Sequence, residues 1–185
     1  MIELRIDDAG WLQSVDVFKS PNFDSRPDDA AIRLVVVHGI SLPPGEYGGG
    51  HIQQFFCNNL NAGLHPYFES ICDMRVSAHC LVERDGNIVQ FVSFRDRAWH
   101  AGESQWRGET TCNNFSVGIE LEGCDEQAYS EAQYLSLSNL IRALRLAYPQ
   151  IDADAIIGHS DIAPGRKTDP GPAFDWAKLE RFLQA

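Results

Sequence analysis

The segment Ile32-Arg33-Leu34-Val35-Val36-Val37 constrains this chain more than any other. It is rich in β-branched residues and nearly continuously apolar, without the alternation of a strand that has one wet face. Such a run predicts a central strand buried on both sides, which requires a layer packed against each face. The strand ends at His38. Residues 40–50 follow with two prolines and four glycines, the composition of a loop.

The rest of the chain supplies those layers. Residues 79–84 and 87–92 flank Asp85-Gly86, a hairpin signal because Asp-Gly accepts the positive φ angles of a tight two-residue turn. Residues 115–122 alternate, with Ile119 and Leu121 on one side and Glu120 and Glu122 on the other. Residues 51–62 carry Ile52, Phe55, Phe56 and Leu60 at helical spacing. Ser130 to Tyr148 is the clearest helix. Ser130 and Gln133 make a capping box, Tyr134, Leu137, Ile141, Leu144 and Tyr148 form an apolar stripe, and Pro149 ends it. Residues 155–158 are a short strand leading into His159, and 174–183 a final helix. The N-terminal segment reads as irregular, with turns at Ser20-Pro21-Asn22 and Arg26-Pro27-Asp28-Asp29. Interspersed strands and helices with a hairpin favour an α/β fold of the mixed α+β kind over a purely parallel one. We expect one domain over 1–185: a central mixed sheet flanked by helices, its core at 28–183, with 1–27 packed on it.

Charge narrows the partners. Fifteen Lys and Arg against 26 Asp and Glu leave a net charge of −11. A chain this acidic is repelled by phosphate backbones, anionic membranes and intact anionic cell wall. The start, MIELRIDDAGWLQSV, lacks the basic-then-apolar pattern of an export signal, and no apolar run is long enough to span a membrane. A cytoplasmic location is therefore expected, with no obligate protein partner. Cys57, Cys72, Cys80, Cys112 and Cys124 are odd in number and fit no metal-knuckle spacing, so they read as free, buried thiols.

Several chemistry-bearing residues sit where strands end. His38 and His159 each follow an apolar strand, and Asp169 lies in the Pro- and Gly-shaped segment DIAPGRKTDPG. Two imidazoles and a carboxylate are a common catalytic zinc set, with the fourth position left to water. Taken singly, each histidine is more often structural than a ligand. Glu120 sits on a strand face that is either solvated or lines a cleft, where it can act as a general base; Glu122 competes for that role. Lys167, two residues before Asp169, can face an oxyanion or be a surface lysine. Trp99 and His100 suit a wall against a sugar or peptide, and Arg75 and Arg166 can grip carboxylates, although a core Trp and surface arginines are equally ordinary. The loop at Gly45–Gly50 is a mobile rim or a plain connection. No HExxH, P-loop, GxGxxG or GxSxG motif occurs. A Cys–His hydrolase built on Cys80 and His79 is poorly placed, since adjacent strand residues point to opposite faces.

Five segments, VVVHGISLPPGEYGG, RVSAHCLVERDGNIVQFV, RAWHAGE, FSVGIELEG and GHSDIAPGRKTDPGPAFDW, occur in an order that resembles the AmpD-type N-acetylmuramoyl-L-alanine amidases, from about residue 10 to the C-terminus. The resemblance implies the fold shared with peptidoglycan-recognition proteins and phage amidases. It implies one Zn2+ per chain held by His38, His159 and Asp169, with Glu120 and Lys167 assisting catalysis. It implies hydrolysis of the amide between the lactyl group of 1,6-anhydro-N-acetylmuramic acid and L-alanine in soluble muropeptides, for peptidoglycan recycling. A wall-lytic amidase and a non-catalytic muropeptide-binding module are the competing readings. Two features depart from the family: Gly39 stands where an Asn is usual after the first zinc histidine, and Glu109, Thr110 and Thr111 replace basic residues before Cys112.

Overall fold

A computed structural model describes residues 4–28 and 30–184. Asp29, part of one expected turn, lies outside the described residues. In chain order the strands and helices are β1 (Asp16–Val17), β2 (Phe23–Ser25), β3 (Leu34–Ile40), α1 (His51–Phe56), α2 (Pro66–Ile71), β4 (Cys80–Val82), β5 (Ile88–Gln90), β6 (Asp96–Ala98), β7 (Gln105–Trp106), β8 (Glu109–Thr110), β9 (Ser116–Glu122), α3 (Glu131–Ala147), β10 (Ile156–Gly158), α4 (His159–Ile162) and α5 (Trp176–Gln184). Six strands form one mixed sheet in the order β1-β5-β4-β9-β3-β10. β4 and β5 are antiparallel, and the other neighbouring pairs are parallel.

The apolar run does become a central strand. Leu34, Val35, Val36 and Val37 are all fully buried. Two cores cover the two faces. The larger packs the α3 residues Leu137, Ile141 and Leu144, together with Leu179 of α5, against Val37 and Ile119. The smaller packs Phe55 and Phe56 of α1 and Phe68 and Ile71 of α2 against Leu81 and Val89. α3 carries its capping box: the Ser130 hydroxyl accepts from the Gln133 backbone N–H at 3.1 Å, and the Gln133 side chain accepts from the Ser130 N–H at 3.0 Å.

Four local expectations shift, the first being that the helical spacing over 51–62 gives α1 only as far as Phe56, with Asn58 turning left-handed (φ 58°) just beyond. β3 runs two residues past His38, because parallel pairing with β9 continues to Ile40 opposite Glu122. The 80–90 hairpin closes through three residues rather than two. Glu83 N–H donates to Asn87 O, and Gly86 takes the left-handed conformation (φ 89°), the geometry of a turn ending in a bulge. The N-terminal segment is more regular than expected: β1 extends the main sheet beside β5, and β2 pairs with β6. Elements of two and three residues are too short to leave a periodic signature.

Candidate metal centre and catalytic cleft

Strand register builds the site. In the parallel β3–β9 pair, His38 lies directly opposite Glu120, and Glu120 lies opposite Leu81 on β4. Partners in a ladder project to the same face, here the face covered by α1 and α2. β10 pairs with β3 so that Gly158 opposes Val37, which delivers His159 beside His38 at the sheet's carboxyl edge. The segment after α4 folds back over that edge. Ser160 N–H donates to the Asp169 carbonyl at 3.0 Å, which returns the Asp169 side chain to the two imidazoles.

His38 Nδ1 and His159 Nδ1 are 2.9 Å apart, and Asp169 Oδ2 lies 3.1 and 3.0 Å from them. Among the described residues this is the group of His, Cys, Asp or Glu spaced to hold a metal ion. The donor chemistry fits a cation. His159 Nε2 faces the Ala101 carbonyl at 3.1 Å, an atom that only accepts, so the neutral ring carries its proton there and leaves Nδ1 bare. Burial holds His38 down to about 4, against the partial opposition of Asp169. Burial raises the Asp169 carboxyl, but its bonds with His159 and His38 lower it by more, so it stays anionic. Lone pairs and an anion thus converge at distances suited to three donors on one zinc at about 2.0–2.2 Å.

These groups open into a cleft of about 600 Å³, whose lining includes Phe55, Tyr67, Ile71, Trp99 and Lys167 and the segment 123–126. Glu120 lines it too. Its side chain is buried, and Oε2 has no hydrogen-bond partner within the protein. Burial raises its pKa well above the usual range; Asp169 adds to the rise and Lys167 offsets part of it. An unpartnered buried carboxylate next to three metal-type donors is equipped to take a proton from water. Glu122 is not free for that role, since its two oxygens accept from Gly48 N–H at 2.6 Å and Arg84 N–H at 3.1 Å. The same bond, with Tyr47 donating to Gln127 at 2.6 Å, ties the glycine-rich loop to the rim.

The other sequence candidates separate. Trp99 lines the cleft as a wall. His100 also borders it, but both its ring nitrogens are engaged within the protein, by His38 at 2.9 Å and Ser116 at 3.1 Å. Arg75 and Arg166 are not among the lining residues. Arg75 folds back onto the carbonyls of Cys72 and Met74, and Arg166 donates to those of Ala101 and Glu103. The two departures also differ. Glu109 is on exposed β8, paired with Arg33 away from the cleft. Gly39 lines the cleft, and the Tyr129 hydroxyl fills the space where its side chain would start, donating to the Pro170 carbonyl at 2.9 Å. Of the thiols, Cys80 and Cys112 are buried as expected, whereas Cys57, Cys72 and Cys124 are only partly so, and Cys124 borders the cleft. Sequence reasoning missed the apolar wall from α1 and α2. Phe55 and Phe56 stood out only as part of a helical stripe, and they are also core.

Comparison with known proteins gives the family. Residues 28–172 match the model of the N-acetylmuramoyl-L-alanine amidase family. The 1,6-anhydro-N-acetylmuramyl-L-alanine amidase AmpD of Escherichia coli is 56% identical over 172 residues, 93% of each chain. The crystal structure of a selenomethionine AmpD derivative superposes with a TM-score of 0.93 at 52% identity, covering 96% of this chain and 98% of that one. The E. coli amidase AmiD, solved in complex with the substrate anhydro-N-acetylmuramic acid-L-Ala-D-γ-Glu-L-Lys, superposes with a TM-score of 0.61 at 27% identity, covering 97% of this chain and 65% of that one. By sequence and by fold, this chain belongs to the N-acetylmuramoyl-L-alanine amidase family.

Proposed function

We propose that this amidase hydrolyses the bond between the lactyl group of 1,6-anhydro-N-acetylmuramic acid and L-alanine in soluble muropeptides, using one zinc ion, in cytoplasmic peptidoglycan recycling. The observation that carries the reading is the convergence of the His38, His159 and Asp169 donors with the unpartnered Glu120 oxygen in one cleft. The names of the full-length relatives support the substrate, and the net charge of −11 opposes binding to an anionic wall.

His38, His159 and Asp169 would hold the ion, which when bound supplies Lewis acidity toward the scissile carbonyl and an acidified water. Glu120 accepts the proton of the attacking water and returns one to the leaving nitrogen, releasing the stem peptide. The Lys167 ammonium at the cleft edge stabilises negative charge developing on the carbonyl oxygen. Trp99 offers a flat apolar wall to sugar or peptide.

The deciding experiment compares the zinc-loaded protein on soluble anhydromuropeptide and on intact sacculi. Rapid release of peptide from the soluble substrate, with little sacculus lysis, is expected. Fast lysis with negligible muropeptide turnover would replace this reading with a wall-lytic one. Muropeptide binding without turnover, in a protein that takes up no zinc, would leave a binding module.

A further inference from the structure

His38 reaches the centre through Nδ1, which leaves its other ring nitrogen to be explained. That atom, Nε2, lies 2.9 Å from Nδ1 of His100, and the two rings meet edge to face with centroids 5.0 Å apart. The far side of the second ring is also occupied: His100 Nε2 lies 3.1 Å from the Ser116 hydroxyl. Three side chains from three segments, β3, the turn after β6 and β9, therefore form one line ending at the metal donors.

The His100 ring is held in place independently of that line. Its backbone N–H and that of Ala101 both donate to the Asn113 side chain, at 3.2 and 2.8 Å. Gly118, in the middle of β9, has no side chain because the ring lies where one would be: a Cβ there would run into His100 Cγ and Nδ1. A fully paired central strand gives up a packing side chain at this point, and the space goes to an imidazole.

Proton bookkeeping along the line has two solutions. A ring whose Nδ1 ligates a cation carries its proton on Nε2. His38 Nε2–H then donates to His100 Nδ1, so His100 carries its own proton on Nε2 and donates it to Ser116. In the reverse solution every proton shifts: Ser116 donates to His100, His100 Nδ1–H donates to His38 Nε2, and His38 Nδ1 carries a proton that blocks the metal. We infer that His100 is a positioning residue for the metal centre: it accepts a hydrogen bond from His38 Nε2–H and holds that ring in the tautomer and at the angle that leave His38 Nδ1 free for the ion. His100 would then act through His38. This rests on the zinc reading above. It also explains why a cleft-edge histidine has neither ring nitrogen to spare.

Two measurements test it. In the unmodified, zinc-loaded protein, long-range 15N–1H correlation of the histidine rings should find His38 and His100 both protonated at Nε2. A His100 protonated at Nδ1 cannot accept from His38, and would overturn the proposal. In variants, zinc affinity is read by competition with a chelator. His100→Leu should weaken zinc binding by about 10- to 100-fold, the range for partners that orient metal ligands. His100→Asn, whose side-chain oxygen can take the place of Nδ1 as acceptor, should restore most of that loss. Melting of the metal-free forms shows whether each variant folds; a loss in His100→Leu that His100→Asn does not recover would mark a packing role and overturn the proposal. Parent-like zinc affinity in His100→Leu would overturn it while leaving the amidase reading intact. A parent chain that takes up no zinc would overturn both.

Discussion

Glu120 shows what one buried, unpartnered carboxyl costs a fold. Its carboxyl is buried with one oxygen unpartnered, and burial lifts its pKa well above the ordinary range. A carboxyl whose folded pKa exceeds its unfolded value of about 4.3 binds more protons when folded, so ionising it destabilises the fold as the pH rises through that interval. Glu120→Gln should therefore raise the melting temperature of the metal-free protein at pH 7, with the gain narrowing as the pH is lowered toward 4.5. The same variant should keep zinc and lose about 10²-fold in turnover, the lower end of general acid–base assistance. Melts at several pH values and steady-state kinetics check both parts; unchanged turnover would remove Glu120 from the chemistry. Its neighbour two residues on behaves oppositely. Glu122 has the same side of the strand and similar burial, but both its oxygens are bonded to backbone N–H groups. The alternation in the sequence put the two on one face without distinguishing them; the hydrogen bonds do.

At the level of elements, the division of labour follows the two faces of the sheet. α3 backs the face away from the cleft and contributes none of its lining. Its start depends on Ser130, which accepts from Gln133 N–H and donates to the Arg84 carbonyl at 2.7 Å. Ser130→Ala should lower unfolding free energy by about 1 kcal/mol, the usual effect of losing an N-cap, with kcat and zinc affinity unchanged; chemical denaturation alongside kinetics checks this. A change in zinc affinity would mean that the sheet transmits strain from one face to the other. This helix was legible in the sequence because its signals are local: a cap, a stripe at helical spacing, a proline after the end. β1, β2 and the pairing of β10 with β3 were not, since each consists of two or three residues stabilised by partners distant in the chain.

For the whole molecule, the metal should act as a clamp between segments far apart in sequence. His38 and Asp169 are separated by most of the family-matched region, yet their ligand atoms lie 3.1 Å apart. Anything that binds only the folded state stabilises it in proportion to the logarithm of its concentration over Kd, about 2.7 kcal/mol at a hundredfold excess over Kd. Chelation should therefore abolish turnover and lower the melting temperature, and zinc should restore both. Asp169→Ala should lose activity and show a melting temperature that no longer responds to zinc. Full activity with stoichiometric metal in that variant would remove Asp169 from the centre. The sequence alone determined the buried central strand, the main helix and the residue types able to hold zinc, because hydrophobic periodicity and side-chain chemistry are properties of short segments. Tertiary structure alone decided that His38 and Glu120 stand in register, that Glu122 is consumed by backbone, that Arg75 and Arg166 are spent on backbone carbonyls, and that His100 bonds to His38. Those outcomes depend on which strands pair and in what register, and a one-residue slip would send every side chain to the other face.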